Sequence, residues 1–466
     1  PNLRDGTNAA LFSRTQMDYF GCRSQVTSDD TLHKPLRPVA DADIIEETGM
    51  DASNPVPLTE PLDWPHPGHT SVPFRLYSDQ EIYELELERV FRGPVWNYIC
   101  IEAEIPNAGD YKASWIAETP VIAVRDKDGS VNVLVNRCAH KGALVCPKER
   151  GNAPELTCLY HAWTYDLKGQ LTGVAFRNGV KGKGGMPKDF DVKQHRLERL
   201  RVETFAGLVF ATFSDKTPDV ATYLGPDMAK FMRRNFDRPL KILGVQSQII
   251  HNNWKLYAEN IRDSYHATLL HTFYTTFKVN RLDTDGGIVL GENKWHHISY
   301  SKGATLKEAD EYKNDKVHAA RYNSKLEGPQ LLERWDEFDD GITHSIQSFF
   351  PNLCLQLTFN SLAIRFFVPR GVDKTELLWF YLGVEGDTEE QTQLRVRQGN
   401  LTGSAGLVSL EDGCINEFVQ RGIAGSEDAN SFIQMGGRDV ESSEDSRATE
   451  VAIRGFWDGY RRLMGF

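Results

Sequence analysis

Alternation of apolar and polar residues governs the chain from about residue 94 to 215. The runs WNYICIEAEI, TPVIAVRD, VNVLVN, LTCLYHAWTYD and ERLRVETFAGLVFATF are separated by Gly, Asn and Asp. A two-residue period sets one face of each run on a core and predicts short antiparallel strands. DKDGS between two of them reads as a hairpin turn. Just upstream, residues 78–92 space Ile82, Leu85, Leu87, Val90 and Phe91 as an amphipathic helix does.

Beyond residue 215 the rhythm changes. The pattern predicts helices from about 220 to 280, then a polar, charged stretch to about 340. IQSFFPNLCLQLTFNSLAIRFFVPRG and TELLWFYLGVEG read as long strands, and residues 388–422 and those from 440 onward as helical. Strands and helices mix without a βαβ rhythm, so the expected class is α+β: a small antiparallel β domain, then a larger domain with an antiparallel sheet flanked by helices. The expected divisions are an N-terminal arm or tail over 1–70, a helix over 71–94 belonging to the larger domain, the β domain over 95–215 and the larger domain over 216–466. The arm is rich in Pro, Asp, Thr and Asn, which disfavours a packed core.

The formal net charge of -12 opposes nucleic-acid binding, which needs a basic surface to displace counterions. No apolar run approaches the ~18 residues of a membrane span, and no signal peptide is evident. Seven scattered cysteines do not form a secreted disulfide framework, so the reducing cytoplasm is the expected compartment.

Only Cys138 and Cys158 stand at metal-ligand spacing from histidines. NRCAHKG places Cys138 and His140 one residue apart, and TCLYHAW places Cys158 and His161 with two between. Each pair follows a predicted strand. Zinc would use the same inventory, giving a zinc-stabilised binding module without redox chemistry. A Rieske [2Fe–2S] cluster is favoured, because each loop supplies one Cys and one His and so touches both irons.

The segment NWKLYAENIRDSYHATLLH holds a second constellation. His266 and His271 would lie roughly 140° apart on a regular helix, so they converge only if the helix distorts or ends between them. A core or surface pair of histidines is the bland alternative, but it must also accommodate Glu259, Asn260 and Asp263. Asp263 shares a helical face with His266. The best third ligand is Asp412, at the start of a helical segment, with Glu411 as runner-up. Two histidines and one carboxylate would leave positions on Fe(II) open to O2 and substrate.

Together the two motifs resemble the Rieske ring-hydroxylating oxygenase α subunits, most specifically in NWK-x3-EN-x2-D-x-YH-x4-H. Within the family, VWNYICIEAEIPNAGDY, GVAFRNGVKGKGGMPKDF, ENIRDSYHATLLHTF and FVQRGIAG resemble the branch acting on terephthalate, and next those acting on salicylate or anthranilate. The resemblance implies Cys138, His140, Cys158 and His161 as cluster ligands, and His266, His271 and Asp412 as ligands of a mononuclear iron. It implies Asp263 as the acidic bridge from one subunit's cluster to its neighbour's iron. It further implies an α3 or α3β3 assembly with a small β subunit, and NADH-derived electrons arriving through a reductase, directly or by a ferredoxin. Lys141 departs from the family's usual Arg, keeping charge but losing the fork geometry.

The strand reading of LCLQLTFNSLAIRFF puts Leu355, Leu357, Phe359, Ser361, Ala363 and Arg365 on one face. A buried guanidinium there needs an anion, either an internal carboxylate or a substrate's. By resemblance to the terephthalate branch, Arg365 and Arg447 are the carboxylate holders; Arg421 is a further candidate that a surface salt bridge would equally explain. Two such arginines in one pocket predict an aromatic dicarboxylate, cis-dihydroxylated. The alternative is monohydroxylation of a salicylate- or anthranilate-like acid.

Overall fold

The computed structural model describes residues 58–65, 68–303, 309–315, 317 and 326–466. The first 57 residues of the expected arm lie outside them. Its described end is anchored: Trp64 is buried, meets Trp457 at 5.7 Å between ring centroids, and donates its indole N–H to Gly68 O at 2.7 Å.

The alternating region forms an antiparallel sheet in the order Asn97–Ile101, Leu208–Thr212, Arg199–Phe205, Val131–Val135, Thr119–Arg125, Asp110–Ile116, Arg150–Asn152. A three-stranded sheet, Leu156–Thr157, Thr164–Tyr165 and Leu171–Gly173, sits beside it. The two loops bearing Cys138 and Cys158 leave these sheets, and Ile122, Leu134, Trp163 and Tyr165 pack beneath them as a separate core.

The larger region is built on a second antiparallel sheet: Leu240–Ile250, Thr375–Val384, Ser361–Pro369, Leu353–Thr358, Ile342–Phe349, His297–Lys302, Gly286–Leu290. Helices Trp254–Asn260, Leu407–Ile423 and Val451–Met464 flank it. The α+β class therefore holds, with several corrections in detail. Leu240–Ile250 is a strand inside the stretch read as helical, and a bulge between Ile242 and Gly244 breaks its alternation. Two short strands, Gly286–Leu290 and His297–Lys302, occupy the stretch read as merely polar. The helix read over 388–422 is two, Glu389–Thr402 and Leu407–Ile423, parted at Gly403–Gly406. The last helix begins at Val451 rather than 440, because the intervening Ser, Asp and Thr side chains compete for backbone hydrogen bonds.

The segment read as one amphipathic helix is α-helical over Gln80–Glu86, capped by Asp79, and widens to a π turn over Leu87–Phe91. Its buried face includes Glu86, which accepts from Trp254 Nε1 at 2.7 Å and pairs with Lys255 Nζ at 2.6 Å. That ion pair, fully buried on both sides, ties the helix to the segment that leads into the second constellation.

Candidate active site

The first loop turns tightly after Val131–Val135. Cys138 N–H donates to Ala143 O and Gly142 N–H to Cys138 O. Gly142 has φ +73, a left-handed conformation that glycine adopts without strain. Asn136 clamps the loop base: its Oδ1 accepts from Val145 and Cys146 N–H at 2.9 Å, and its Nδ2 donates to Cys146 O at 2.8 Å. In the second loop, Cys158 N–H donates to Trp163 O and Ala162 N–H to Cys158 O.

These turns set both cysteines in one buried core and bring the two histidine rings together. Both cysteines are buried and free, while the histidine rings stand at the rim with centroids 4.6 Å apart. His140 lies flat on Trp163, at 4.8 Å and 3°. Tyr165 Oη sits 3.3 Å from Cys138 Sγ and accepts from Ala139 N–H at 3.1 Å. His140 Nδ1 is buried without a hydrogen-bond partner, as an atom awaiting a metal would be. Two buried sulfurs with two imidazoles at the rim fit a Rieske cluster. Cys146, eight residues on from Cys138, is no part of this group; burial pushes its thiol up to about 12.

In the second constellation the helix does end between the histidines. Ala267–Leu270 forms one short turn, with His266 at its N-cap and His271 extended at its C-cap (ψ 109°). Asp263 makes the bend: its Oδ1 accepts from Tyr265 N–H at 2.8 Å and His266 N–H at 3.2 Å. Asp412 arrives from the second turn of Leu407–Ile423, inside that helix rather than at its start. Its Oδ1 lies 3.3 Å from His266 Nε2 and 3.5 Å from His271 Nε2. The three potential ligand atoms fall within 4.8 Å of one another. This fits three ligands on one face of an iron, leaving the opposite face open. Burial disfavours the Asp412 charge, yet His271 and His266 beside it hold its carboxyl down at about 2.

Each imidazole has a carboxylate behind its other nitrogen. Asp263 Oδ2 is 3.3 Å from His266 Nδ1, and Glu411 Oε2 is 3.0 Å from His271 Nδ1. Glu411, the runner-up ligand, thus stands behind His271 and also accepts from Thr272 N–H at 2.9 Å. Asn260 Nδ2 donates to Asp412 Oδ1 at 3.2 Å. Glu259 faces away, bonded to Tyr77 Oη and to Trp457 Nε1.

Arg365 and Arg447 both line the cavity that contains the triad, whereas Arg421 is exposed and does not. The face assigned to Arg365 needs correction. Phe359 and Asn360 form a hairpin turn, with Phe359 at φ +54, so the segment read as one strand is two. Register pairs Arg365 with Cys354 and Ala363 with Gln356, which puts Arg365 on the face of Gln356 rather than that of Leu355 and Leu357. Among the described residues no carboxylate pairs directly with Arg365. It donates to Gln356 Oε1, reaches Tyr257 Oη at 3.4 Å and lies 4.5 Å over the Trp379 ring. Arg447 donates to Asn280 Oδ1 at 2.8 Å and to Arg281 O. Both Nε atoms are buried without a partner. Gln356, Asn280 and His344 complete the polar wall; none was flagged by motif spacing, because each enters only through strand register or loop folding.

Two family models match the chain: the Rieske [2Fe-2S] domain over residues 95–182 and the ring hydroxylating alpha subunit (catalytic domain) over residues 221–465. The chain belongs to the Rieske ring-hydroxylating oxygenase α subunits. Among its relatives are the terephthalate 1,2-dioxygenase terminal oxygenase component subunit alpha 2 of Comamonas sp, 45% identical, covering 87% of this chain and 98% of the relative. The anthranilate 1,2-dioxygenase large subunit of Burkholderia cepacia is 43% identical over 87% and 96% of the two chains. The salicylate 5-hydroxylase large oxygenase component of Ralstonia sp is 40% identical over 86% and 96%. The naphthalene 1,2-dioxygenase structure from Rhodococcus sp. superposes with a TM-score of 0.71 over 84% of this chain and 94% of that one; at 23% identity the likeness concerns the fold. The protein is thus a ring-hydroxylating enzyme with a Rieske [2Fe–2S] domain and a mononuclear-iron catalytic domain, which sets aside the zinc-stabilised binding module. No helix among the described residues is long and apolar enough to cross a membrane.

Proposed function

We propose that this α subunit is the terminal oxygenase for an aromatic carboxylic acid, with a dicarboxylate such as terephthalate as substrate and a cis-dihydrodiol as product. The observation that carries the reading is the pair Arg365 and Arg447. Both are buried in the cavity of the iron triad, each has an Nε without a partner, and neither pairs directly with a carboxylate among the described residues. Leaving two buried cations in that condition is costly unless a ligand brings the anion. Two carboxylates would repay both and fix which ring edge faces His266, His271 and Asp412.

In this reading Cys138, His140, Cys158 and His161 hold the cluster, and His266, His271 and Asp412 hold the iron. When bound, the cluster supplies single electrons and the iron the oxygen chemistry. Asp263, hydrogen-bonded to His266 and partly exposed, is the bridge toward the cluster face of a neighbouring copy. Such a relay requires a cyclic assembly, α3 or α3β3 with a small β subunit. Electrons come from NADH through a separate reductase, directly or by a ferredoxin, in the cytoplasm. The β domain spans 95–215 and the catalytic domain 216–466 together with the 71–94 helix.

The salicylate 5-hydroxylase relative favours a second reading, in which a salicylate- or anthranilate-like acid is held by a single carboxylate and the ring is monohydroxylated. A product assay with reductase, NADH and O2 separates the two. Terephthalate yielding a cis-dihydrodiol supports the first reading; turnover of salicylate to gentisate, with terephthalate inert, replaces it with the second.

A further inference from the structure

His344 stands on the Ile342–Phe349 strand, in the wall shared by the triad cavity and the cavity beside it. Thr358 lies opposite it in register on the next strand, with its Oγ1 3.2 Å from His344 Nδ1. Thr358 Oγ1 also receives Gln356 Nε2 at 2.8 Å, and Gln356 Oε1 receives Arg365 Nη2.

The direction of this chain follows from its first member. A guanidinium only donates, so the Gln356 oxygen end faces Arg365 and its nitrogen end faces Thr358. Thr358 Oγ1 therefore accepts from Gln356. Its own proton finds an acceptor in His344 Nδ1, and among the described residues that hydroxyl makes no other hydrogen bond. The ring proton of His344 then resides on Nε2. Burial, with Arg447 and Arg365 nearby, holds the ring's pKa at about 3, so it is neutral and has one N–H to offer. The buried Nε of Arg447, which lines the same cavity, also lacks a partner.

We propose that His344 is a specificity-determining residue whose Nε2–H donates to the substrate carboxylate bound by Arg447, its tautomer set by the Arg365–Gln356–Thr358 relay. The inference rests on the aromatic-acid reading and deepens it. A neutral donor accepts a carboxylate oxygen and rejects a group that can only present N–H at that point. It also couples the two arginines, since Arg365 orients the relay and His344 meets the carboxylate that Arg447 holds.

The test is calorimetric titration of terephthalate into the oxidised holoenzyme without reductant, so that binding is read apart from turnover. Wild type binds. His344→Phe weakens binding roughly tenfold or more, the factor expected for a lost hydrogen bond to a charged group. His344→Gln, which restores an N–H near the Nε2 position, returns to within about threefold of wild type. Cluster absorbance and melting temperature report folding in each variant; if His344→Phe does not fold, His344→Leu carries the same test. Equal affinity in wild type and the donor-free variant overturns the inference and leaves the aromatic-acid reading intact. Failure of wild type to bind terephthalate, salicylate or anthranilate overturns both.

Discussion

Glu411 Oε2 lies 3.0 Å from His271 Nδ1, on the opposite side of the imidazole from Asp412. The contact fixes the ring's orientation and tautomer, so that Nε2 presents its lone pair to the iron position. Glu411→Ala is expected to weaken iron binding about 10- to 100-fold, the usual cost of losing such an outer partner. Competition against a chelator measures it, with the cluster absorbance unchanged. Equal iron retention in the variant and wild type would remove Glu411 from this role.

Asp263 performs the corresponding service for His266, and it also caps the bend. With Fe(II) supplied in excess to offset the weaker hold on His266, Asp263→Ala is expected to keep both metal centres largely filled while abolishing turnover, because in the proposed relay Asp263 carries electrons from a neighbouring subunit's cluster to the iron. Stopped-flow reduction of the cluster followed by single-turnover product formation separates the two steps. Loss of the cluster spectrum in the variant would contradict the bridge role.

Arg365 has no carboxylate bonded to it among the described residues, so its removal relieves a buried charge rather than breaking an ion pair. Arg365→Ala should therefore raise KM far more than it lowers the melting temperature. An unchanged KM would exclude Arg365 from substrate binding.

Lys255 and Glu86 make the opposite case. Both are fully buried and 2.6 Å apart, and Glu86 also serves Trp254 and Tyr460. Lys255→Met leaves a carboxylate stranded in the core, at an expected cost of about 3–5 kcal/mol. Urea unfolding monitored by tryptophan fluorescence gives the figure. A loss below about 1 kcal/mol, the level of an exposed pair, would contradict it.

His296 provides a pH dependence. Phe350 N–H donates to its Nδ1 at 3.0 Å and its Nε2 lies 3.2 Å from Tyr223 O, so the ring is held neutral; burial pushes its pKa down to about 3. The folded value lies below the ordinary value of about 6.5, so this stabilisation is complete above pH ~6.5. It declines by about 1.4 kcal/mol per pH unit as the pH falls toward 3. His296→Gln, unable to titrate, should lose about 1 kcal/mol less than wild type between pH 7.5 and 5.5 in urea titrations. Identical losses would contradict this.

The loops bearing Cys138, His140, Cys158 and His161 were legible because residue identity and spacing are local properties: C-x-H and C-x2-H need only a turn each. His266 and His271 were legible for a different reason. Their five-residue offset is useless on a straight helix, so the sequence itself implied a break, and Asp263 supplies the capping that makes it. What escaped depended on register and exposure. Leu240–Ile250 is an edge strand with Val245 and Ile249 exposed and a bulge that spoils its period. The turn at Phe359–Asn360 contains neither Gly nor Pro, so two strands read as one and Arg365 was given the wrong face. His344, Gln356 and Asn280 reach the site only through tertiary folding, which no motif announces, and only the fold sets Glu411 behind His271 rather than among the ligands.

Iron and acid-labile sulfide, measured together in wild type and in two single-site variants, test the two-centre account most directly. Wild type should contain about three irons and two sulfides per chain, two of the irons in the cluster and one at the triad. His266→Ala should lose one iron and keep its sulfide and brown colour; Cys138→Ser should lose the sulfide. Zinc in place of iron, no sulfide, or loss of sulfide on replacing His266 would contradict the account.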